Sequence, residues 1–225
     1  MGRWGILGSS WPPLSHVVST MVSPAYRSLL LTALRITLTE AAIGYAIGIA
    51  IAIVLALGAH LVRALRAGLI RLAAIVNTIP ILVLGPLFLA TLPRSEAPIA
   101  LAAVSVLFTV VVAVSSGLVS YQAAHADLFS VLGASRPARL IHLDLPASLP
   151  MFADGLKIAA PVALLGAIIG EWFGADSGLG PLLVSAMQNY QVDLLWSVAV
   201  VAALASAAAY GGLSLVQASV SERFR

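Results

Sequence analysis

Two absences narrow this chain before any motif is considered. It has no cysteine, which excludes disulfides and thiolate metal sites. It is also nearly bare of charge: only 9% of its 225 residues are Asp, Glu, Lys or Arg, and Lys157 is the single lysine. A soluble domain of this size needs far more charge to cover its surface. No basic stripe is interleaved with aromatics, so no nucleic-acid partner is expected. The histidines (His16, His60, His125 and His142) have no metal-ligand spacing, and each reads as a loop or interface residue. Lys157 is followed by Ile158 and preceded by no glycine-rich cradle, so the chain carries no P-loop of its own. No G-x-S-x-G elbow is present, since Ser177 sits in Asp-Ser-Gly, and a membrane enzyme is unsupported. Residues 5–13 are too short and too broken for the apolar region of a signal peptide.

Hydrophobic length is what the chain has. Sixty per cent of the residues are apolar and the mean hydropathy is +1.03. About 20 apolar residues are needed to cross a bilayer core as a helix, and five segments qualify: 34–57, 69–92, 98–119, 155–173 and 194–217. Barrel strands would alternate over about ten residues. These runs are apolar all round, so the expected fold is all-α, a polytopic membrane helical bundle.

Basic residues orient the bundle. Arg63, Arg66 and Arg71 lie in the first loop, Arg136, Arg139 and Lys157 in the polar stretch 120–157, and Arg223 and Arg225 in the C-terminal tail. The connection 174–193 has only Asp176 and Asp193, and the connection 93–97 has Arg94 as its sole basic residue. The positive-inside rule puts the three basic regions in the cytoplasm and, with five spans, the N-terminus outside. Arg3, Arg27 and Arg35 oppose that placement. Two readings reconcile them: an amphipathic helix within 14–31 lying in the interface, or a span upstream of this start. Five spans with the N-terminus outside is the expectation.

Gly44 and Gly48 stand four apart on the first span, and Gly166, Gly170 and Gly174 repeat the step on the fourth. Such spacing lets helices approach closely in lipid, either within one subunit or at a dimer seam or moving gate. Pro80, Pro86 and Pro161 interrupt spans and can kink them. Asp154 and Lys157 are spaced as a local helix pair. Glu40 and Glu171 lie near outer span ends, where a carboxylate is either an interfacial anchor or part of a pathway. The loop after Glu171 bends at Gly178 and Gly180, as an outer lid or a plain connector would. Glu171, Gly178 and Gly180 are the candidate outer gate.

The segment 127–150 is polar, yet keeps apolar residues at regular spacing. Leu128, Val131 and Leu132 share one side of a short helix, and Gly133 allows a turn. Ser135 is a plausible N-cap, with Pro137 in the first turn of a second helix carrying Leu140, Ile141 and Leu143. Pro146 is expected to end it. The product is a helix-turn-helix across the basic face, which either docks in a groove on a partner or rests on the membrane.

The spacing resembles the E-A-A, three residues, Gly, nine residues, I-x-L-P signature of permease subunits of bacterial ABC importers. Gly133 takes the glycine position, Leu143, Leu145 and Pro146 the I-x-L-P positions, and Asp127-Leu128-Phe129 the E-A-A positions. Asp replaces Glu and keeps the charge, while Phe replaces the last Ala and adds bulk. Asn77-Thr78-Ile79-Pro80 followed by Leu84-Gly85-Pro86-Leu87, then Gly170-Glu171 and Gly178-Leu179-Gly180, resemble the nitrate, sulfonate and taurine group within that family. The likeness covers 29–225.

The resemblance implies a type I ABC importer core of about five transmembrane helices, like the methionine permeases. Residues 1–33 would be external or interfacial, and 34–225 a permease domain with a cytoplasmic coupling loop at 120–150. Asp127, Leu128, Phe129, Gly133, Arg136, Arg139, Leu143, Leu145 and Pro146 would couple to the ATPase. Implied partners are two ABC ATPase subunits holding ATP and Mg, a second permease copy, a periplasmic or lipid-anchored substrate-binding protein and membrane lipid. No cofactor is implied on this chain, and the location implied is the bacterial inner membrane. Group members import small anions or thiamine-precursor pyrimidines. The competing classes are a stand-alone secondary transporter or channel, which would place paired ionisable groups in mid-span, and a scaffold subunit with no transport role.

Overall fold

The structure is a computed structural model and describes residues 11–223, so Arg3 and Arg225 lie outside the described residues. Among the described residues every regular element is a helix. In chain order these are α1 (Leu14–Val22), α2 (Pro24–Leu61), α3 (Arg63–Thr78), α4 (Ile81–Thr91), α5 (Ala97–Gly117), α6 (Ala123–Val131), α7 (Arg136–Arg139), a π-helical turn (Leu140–Asp144), α8 (Leu145–Trp172), α9 (Leu179–Gln188) and α10 (Val192–Arg223).

The expected spans are present, with longer ends and one break. Four stretches of continuous helix are long and apolar enough to cross a membrane: Pro24–Leu61, Ala97–Gly117, Arg136–Trp172 and Val192–Glu222. The remaining expected span, 69–92, is divided. Ile79 and Pro80 are extended, with ψ of 120° and 123°, so α3 stops and α4 restarts. Pro80 supplies the reason, since its ring disfavours helical geometry at Ile79. The pair still traverses the bundle, because α3 follows directly on the end of α2 while Gly85 of α4 packs against Phe173, beyond the end of α8. Five crossings result, one in two pieces.

A short helix does lie within 14–31, separate from the first span. Ser23 is extended, Pro24 opens α2, and only Leu14–Val22 forms the short helix. That helix is fastened to α10: Ser197 donates to the Val17 carbonyl at 3.3 Å, and the Trp11 and Trp196 rings lie 4.8 Å apart.

Lipid tails are as apolar as the helices, so packing depends on how closely backbones can approach. Here α5 is the axle. Leu101, Ala102, Val106, Val110 and Val111 are all fully buried. Gly44 of α2 sits against Ala102 and the Ile99 carbonyl, and Gly48 against Ala103 and Val106. Across α5, Gly166 of α8 meets Ala102 and Ser105, and Gly170 meets Pro98. Both glycine steps are therefore used within one chain, with α5 clasped between α2 and α8. Asp154 and Lys157 pair as their spacing suggested, at 2.7 Å.

A Cβ at Gly48 would lie 2.6 Å from the Ala103 carbonyl oxygen, whereas one at Gly211 would meet nothing within 4 Å. Gly48→Leu should therefore cost at least about 1–3 kcal/mol through overpacking. Gly211→Ala should be neutral or stabilising by about 0.5–1 kcal/mol. Thermal unfolding in detergent, read as Tm, separates the two.

Candidate functional site

The chemistry-bearing residues gather at the two ends of the bundle. At the basic end, α6 and α7 form the helix-turn-helix read from the sequence. Gly133 has φ of +65°, a left-handed conformation that suits glycine, with open space around it. Ser135 caps α7 as foreseen, accepting from the Ala138 N–H at 3.4 Å. The second helix, however, does not end at Pro146. Leu145 N–H donates to the Leu140 carbonyl, five residues back, and this π turn lets α7 run on into α8. A proline has no N–H to give and crowds the carbonyl four residues earlier. The widened turn lies just before Pro146, where an α-helical ladder would meet that crowding. The segment is thus the first part of a membrane-spanning rod rather than a separate surface helix.

Its side chains divide into two sets. Asp127, Leu128, Gly133, Arg136 and Leu145 are exposed, with Phe129, Arg139 and Pro146 half-buried and Leu143 buried. Leu128, Val131, Leu132 and Ile141 present an exposed apolar face, Val131 at 84% and Leu132 at 71% exposure. The inward set centres on Asp144, a residue sequence reasoning passed over. Its Oδ2 accepts from His60 Nε2 of α2 at 2.8 Å. Its Oδ1 lies 3.5 Å from Arg139 Nε and has no hydrogen bond. Arg139 also donates to Tyr121 Oη at 2.5 Å and stacks on that ring at 5.0 Å. His60 is therefore a helix residue at the interface between α2 and the π turn, hydrogen-bonded to Asp144. The signal that could have found this cluster is the charge of Asp144 between Leu143 and Leu145.

At the opposite end the structure brings the three candidate gate residues together. Glu171 is completely buried, which removes the reading of an interfacial anchor. Its Oε2 accepts from Gly180 N–H at 2.7 Å and its Oε1 from the Thr37 hydroxyl at 2.6 Å. The Thr37 oxygen in turn accepts from Leu179 N–H at 2.9 Å. The first turn of α9 leaves backbone donors unpaired, and this arrangement satisfies two of them. Gly178, at φ +120°, passes so close that a Cβ there would run into the Glu171 carboxylate. Glu40, three residues along from Thr37, has a buried Oε2 without a hydrogen-bond partner. Thr37 was not legible as a site residue, although Thr-x-x-Glu on one helix face points the two side chains the same way.

A multi-pass helical membrane bundle with a divided second crossing and a helix-turn-helix running into its fourth defines the class. Comparison with known proteins then gives the family: over residues 44–225 the chain matches the binding-protein-dependent transport system inner membrane component, and it belongs to that family. It is 34% identical over 164 residues to a probable ABC transporter permease protein of Haemophilus influenzae, covering 72% of this chain and 67% of that one. It is 34% identical over 154 residues to the formylaminopyrimidine transport permease protein ThiX of Halalkalibacterium halodurans, covering 68% of this chain and 62% of that one. A putative aliphatic sulfonates transport permease protein of Bacillus subtilis is 24% identical over 202 residues, 86% of this chain and 73% of that one. The matched regions thus span roughly two thirds of the first two relatives' length. In fold the chain resembles a chain of the MetNI methionine ABC transporter in an inward-facing form, with a TM-score of 0.75 at 16% identity, over 88% of this chain and 99% of that one. The type I importer fold and the membership drawn from the glycine-to-proline spacing both hold, and a multi-pass inner-membrane location follows from that membership and the spans.

Removing the Glu171 carboxylate would strand the Gly180 N–H in a buried place, while the Thr37 hydroxyl keeps the Ala33 carbonyl as an acceptor at 3.1 Å. Glu171→Ala and Thr37→Val should each lower stability by about 1–3 kcal/mol. The double variant should lose less than the sum, because the two side chains share one network. Tm values of the four proteins close the cycle.

Proposed function

We propose that this chain is the pore subunit of an ATP-driven importer and that its helix-turn-helix at 123–145 is the contact for a separate ATPase subunit. One observation carries the reading: an exposed apolar face of Leu128, Val131, Leu132 and Ile141 at the basic end, on a segment continuous with a membrane-spanning helix. An apolar face at a water-exposed loop is a docking surface, and the short turn at Gly133 passes a push on it to the helix that runs from Arg136 into α8. The basic residues of the loops put this face in the cytoplasm. Family membership supports a binding protein on the other side.

In the complete assembly two copies of this chain enclose the pathway, two ATPase subunits hold ATP and Mg, and a periplasmic or lipid-anchored binding protein delivers the solute. Asp127, Phe129, Gly133, Arg136 and Arg139 lie on or beside the docking face. ATP closes the ATPase pair, the two docking segments approach, and the bundle turns outward. Glu171, Gly178 and Gly180 govern the outer end, where their network fixes the start of α9. The solute is a small organic compound of the sort named for its relatives, a formylaminopyrimidine or an aliphatic sulfonate.

Val131→Asp should leave insertion and Tm unchanged, since the side chain is exposed, yet abolish copurification of the ATPase. Gly133→Trp should insert normally and lose either that copurification or solute-stimulated hydrolysis. Pull-down from detergent extracts of membranes co-expressing the neighbouring ATPase reads both. Retained coupling in both variants, or uphill transport by the purified chain in liposomes without an ATPase, would defeat the proposal.

A further inference from the structure

The docking segment is joined covalently to α8 alone, so its movement reaches any other helix only through side chains. Antiparallel to α8 runs α2, and three hydrogen bonds tie the two together at separate levels. At the basic end His60 Nε2 meets Asp144 Oδ2 at 2.8 Å, midway Tyr45 donates to the Leu156 carbonyl at 2.9 Å, and at the far end Thr37 donates to Glu171 at 2.6 Å. His60 and Thr37 stand about 35 Å apart along α2 at 1.5 Å per residue. Polar bridges at both ends and the middle, with α5 clasped between, resist both hinging and sliding of one helix against the other.

The division between α3 and α4 contrasts with this. They adjoin α5 and α8 across an apolar cavity of about 330 Å³, lined by Leu72, Ile79, Leu84, Phe108 and Leu165 among others. The α3–α4 pair thus borders an apolar cavity, whereas α2 and α8 are joined by polar bridges.

We propose that His60 and Asp144 form a positioning pair that makes α2 follow the docking segment, so that α2, α5 and α8 move as one lever against α3–α4; this rests on the proposed ATPase contact. Asp144 is suited to that place. It lies in the π turn between Leu143 and Leu145, its side chain is 5% exposed, Arg139 Nε lies 3.5 Å from its other oxygen, and it lines a cavity of about 280 Å³ with His60, Tyr121 and Arg136. If the carboxylate shifted with its own segment, Arg139 would move with it, but Oδ2 would lose its hydrogen bond to His60 on α2.

The absence of cysteine from this chain permits a direct test in a complex assembled with cysteine-free partner subunits. Leu61 at the end of α2 and Met151 on α8 are exposed, and both replaced by cysteine would carry spin labels. In the otherwise unaltered chain the distance between labels should be the same without nucleotide and after trapping with ATP and vanadate. In Asp144→Asn and His60→Gln the trapped state should show a shifted or broadened distance. ATP hydrolysis stimulated by the binding protein in solute-rich cell extract should fall roughly fivefold or more, in the range of ordinary coupling factors. Basal hydrolysis by the ATPase subunits should persist. The exchange variant, His60→Asp with Asp144→His, should recover the fixed distance and much of the stimulation, which a merely space-filling role would not predict.

A label distance that changes on trapping in the unaltered chain overturns the lever. So does either single variant that keeps both fixed distance and full stimulation, or an exchange variant as impaired as the singles. If neither single variant accumulates in membranes, the pair is a folding element and the positioning role fails. Failure of the underlying function would look different: the unaltered chain would bring down no ATPase at all.

Discussion

Backbone-to-backbone approach along α5 is the contact on which this bundle depends. Gly44 and Gly48 on one side and Gly166 and Gly170 on the other remove the Cβ atoms that would hold the helices apart. In lipid, where burial of apolar side chains supplies little drive for association, such approach supplies the dispersion contacts that hold helices together. It also fixes the rotation of α2 and α8 about their axes. Thr37 comes to face Glu171, and His60 to face Asp144, because the glycine stripes already face α5. The polar pairs at the ends are consequences of the seam in the middle.

Those pairs do different work from the seam. Packing alone permits small sliding, and a hydrogen bond to a buried carboxylate resists it, because separation costs a charge-assisted partner. Glu171 goes further by serving as the cap of a neighbouring helix: it holds Gly180 N–H directly and Leu179 N–H through Thr37. The start of α9 is thereby set by α2 and α8 together. Gly178 completes the arrangement by leaving room for the carboxylate.

At the basic end the same economy yields a surface. Arg139 turns inward to Tyr121 and Asp144, while Arg136 and the apolar side chains of α6 stay outside. Among the described residues of α6 none is buried, so that helix is presented rather than packed. A presented apolar helix tied to a spanning rod fits the transport family in which the chain belongs, and the proposed ATPase contact uses that combination.

Much of this was readable from residue order. Hydrophobic runs of about 20 residues can do little else than cross a bilayer as helices, so the all-α fold, the five crossings and their order followed from length and polarity. Gly133, Ser135 and the spacing to Pro146 located the helix-turn-helix, because turn and cap geometry is local chemistry. What residue order left open was every property that depends on who faces whom. Pro146 reads as a stop, yet a π turn carries the helix through it. Glu171 reads equally as an anchor or a gate residue until Thr37 and Gly180 are seen to enclose it, 134 and 9 residues away in the chain. His60 and Asp144, 84 residues apart, pair only because two antiparallel helices end at the same level. Hydrophobicity and turn propensity are properties of neighbouring residues and so are written in the sequence; a buried polar pair between distant segments is a property of the packed bundle and exists only once the bundle has formed.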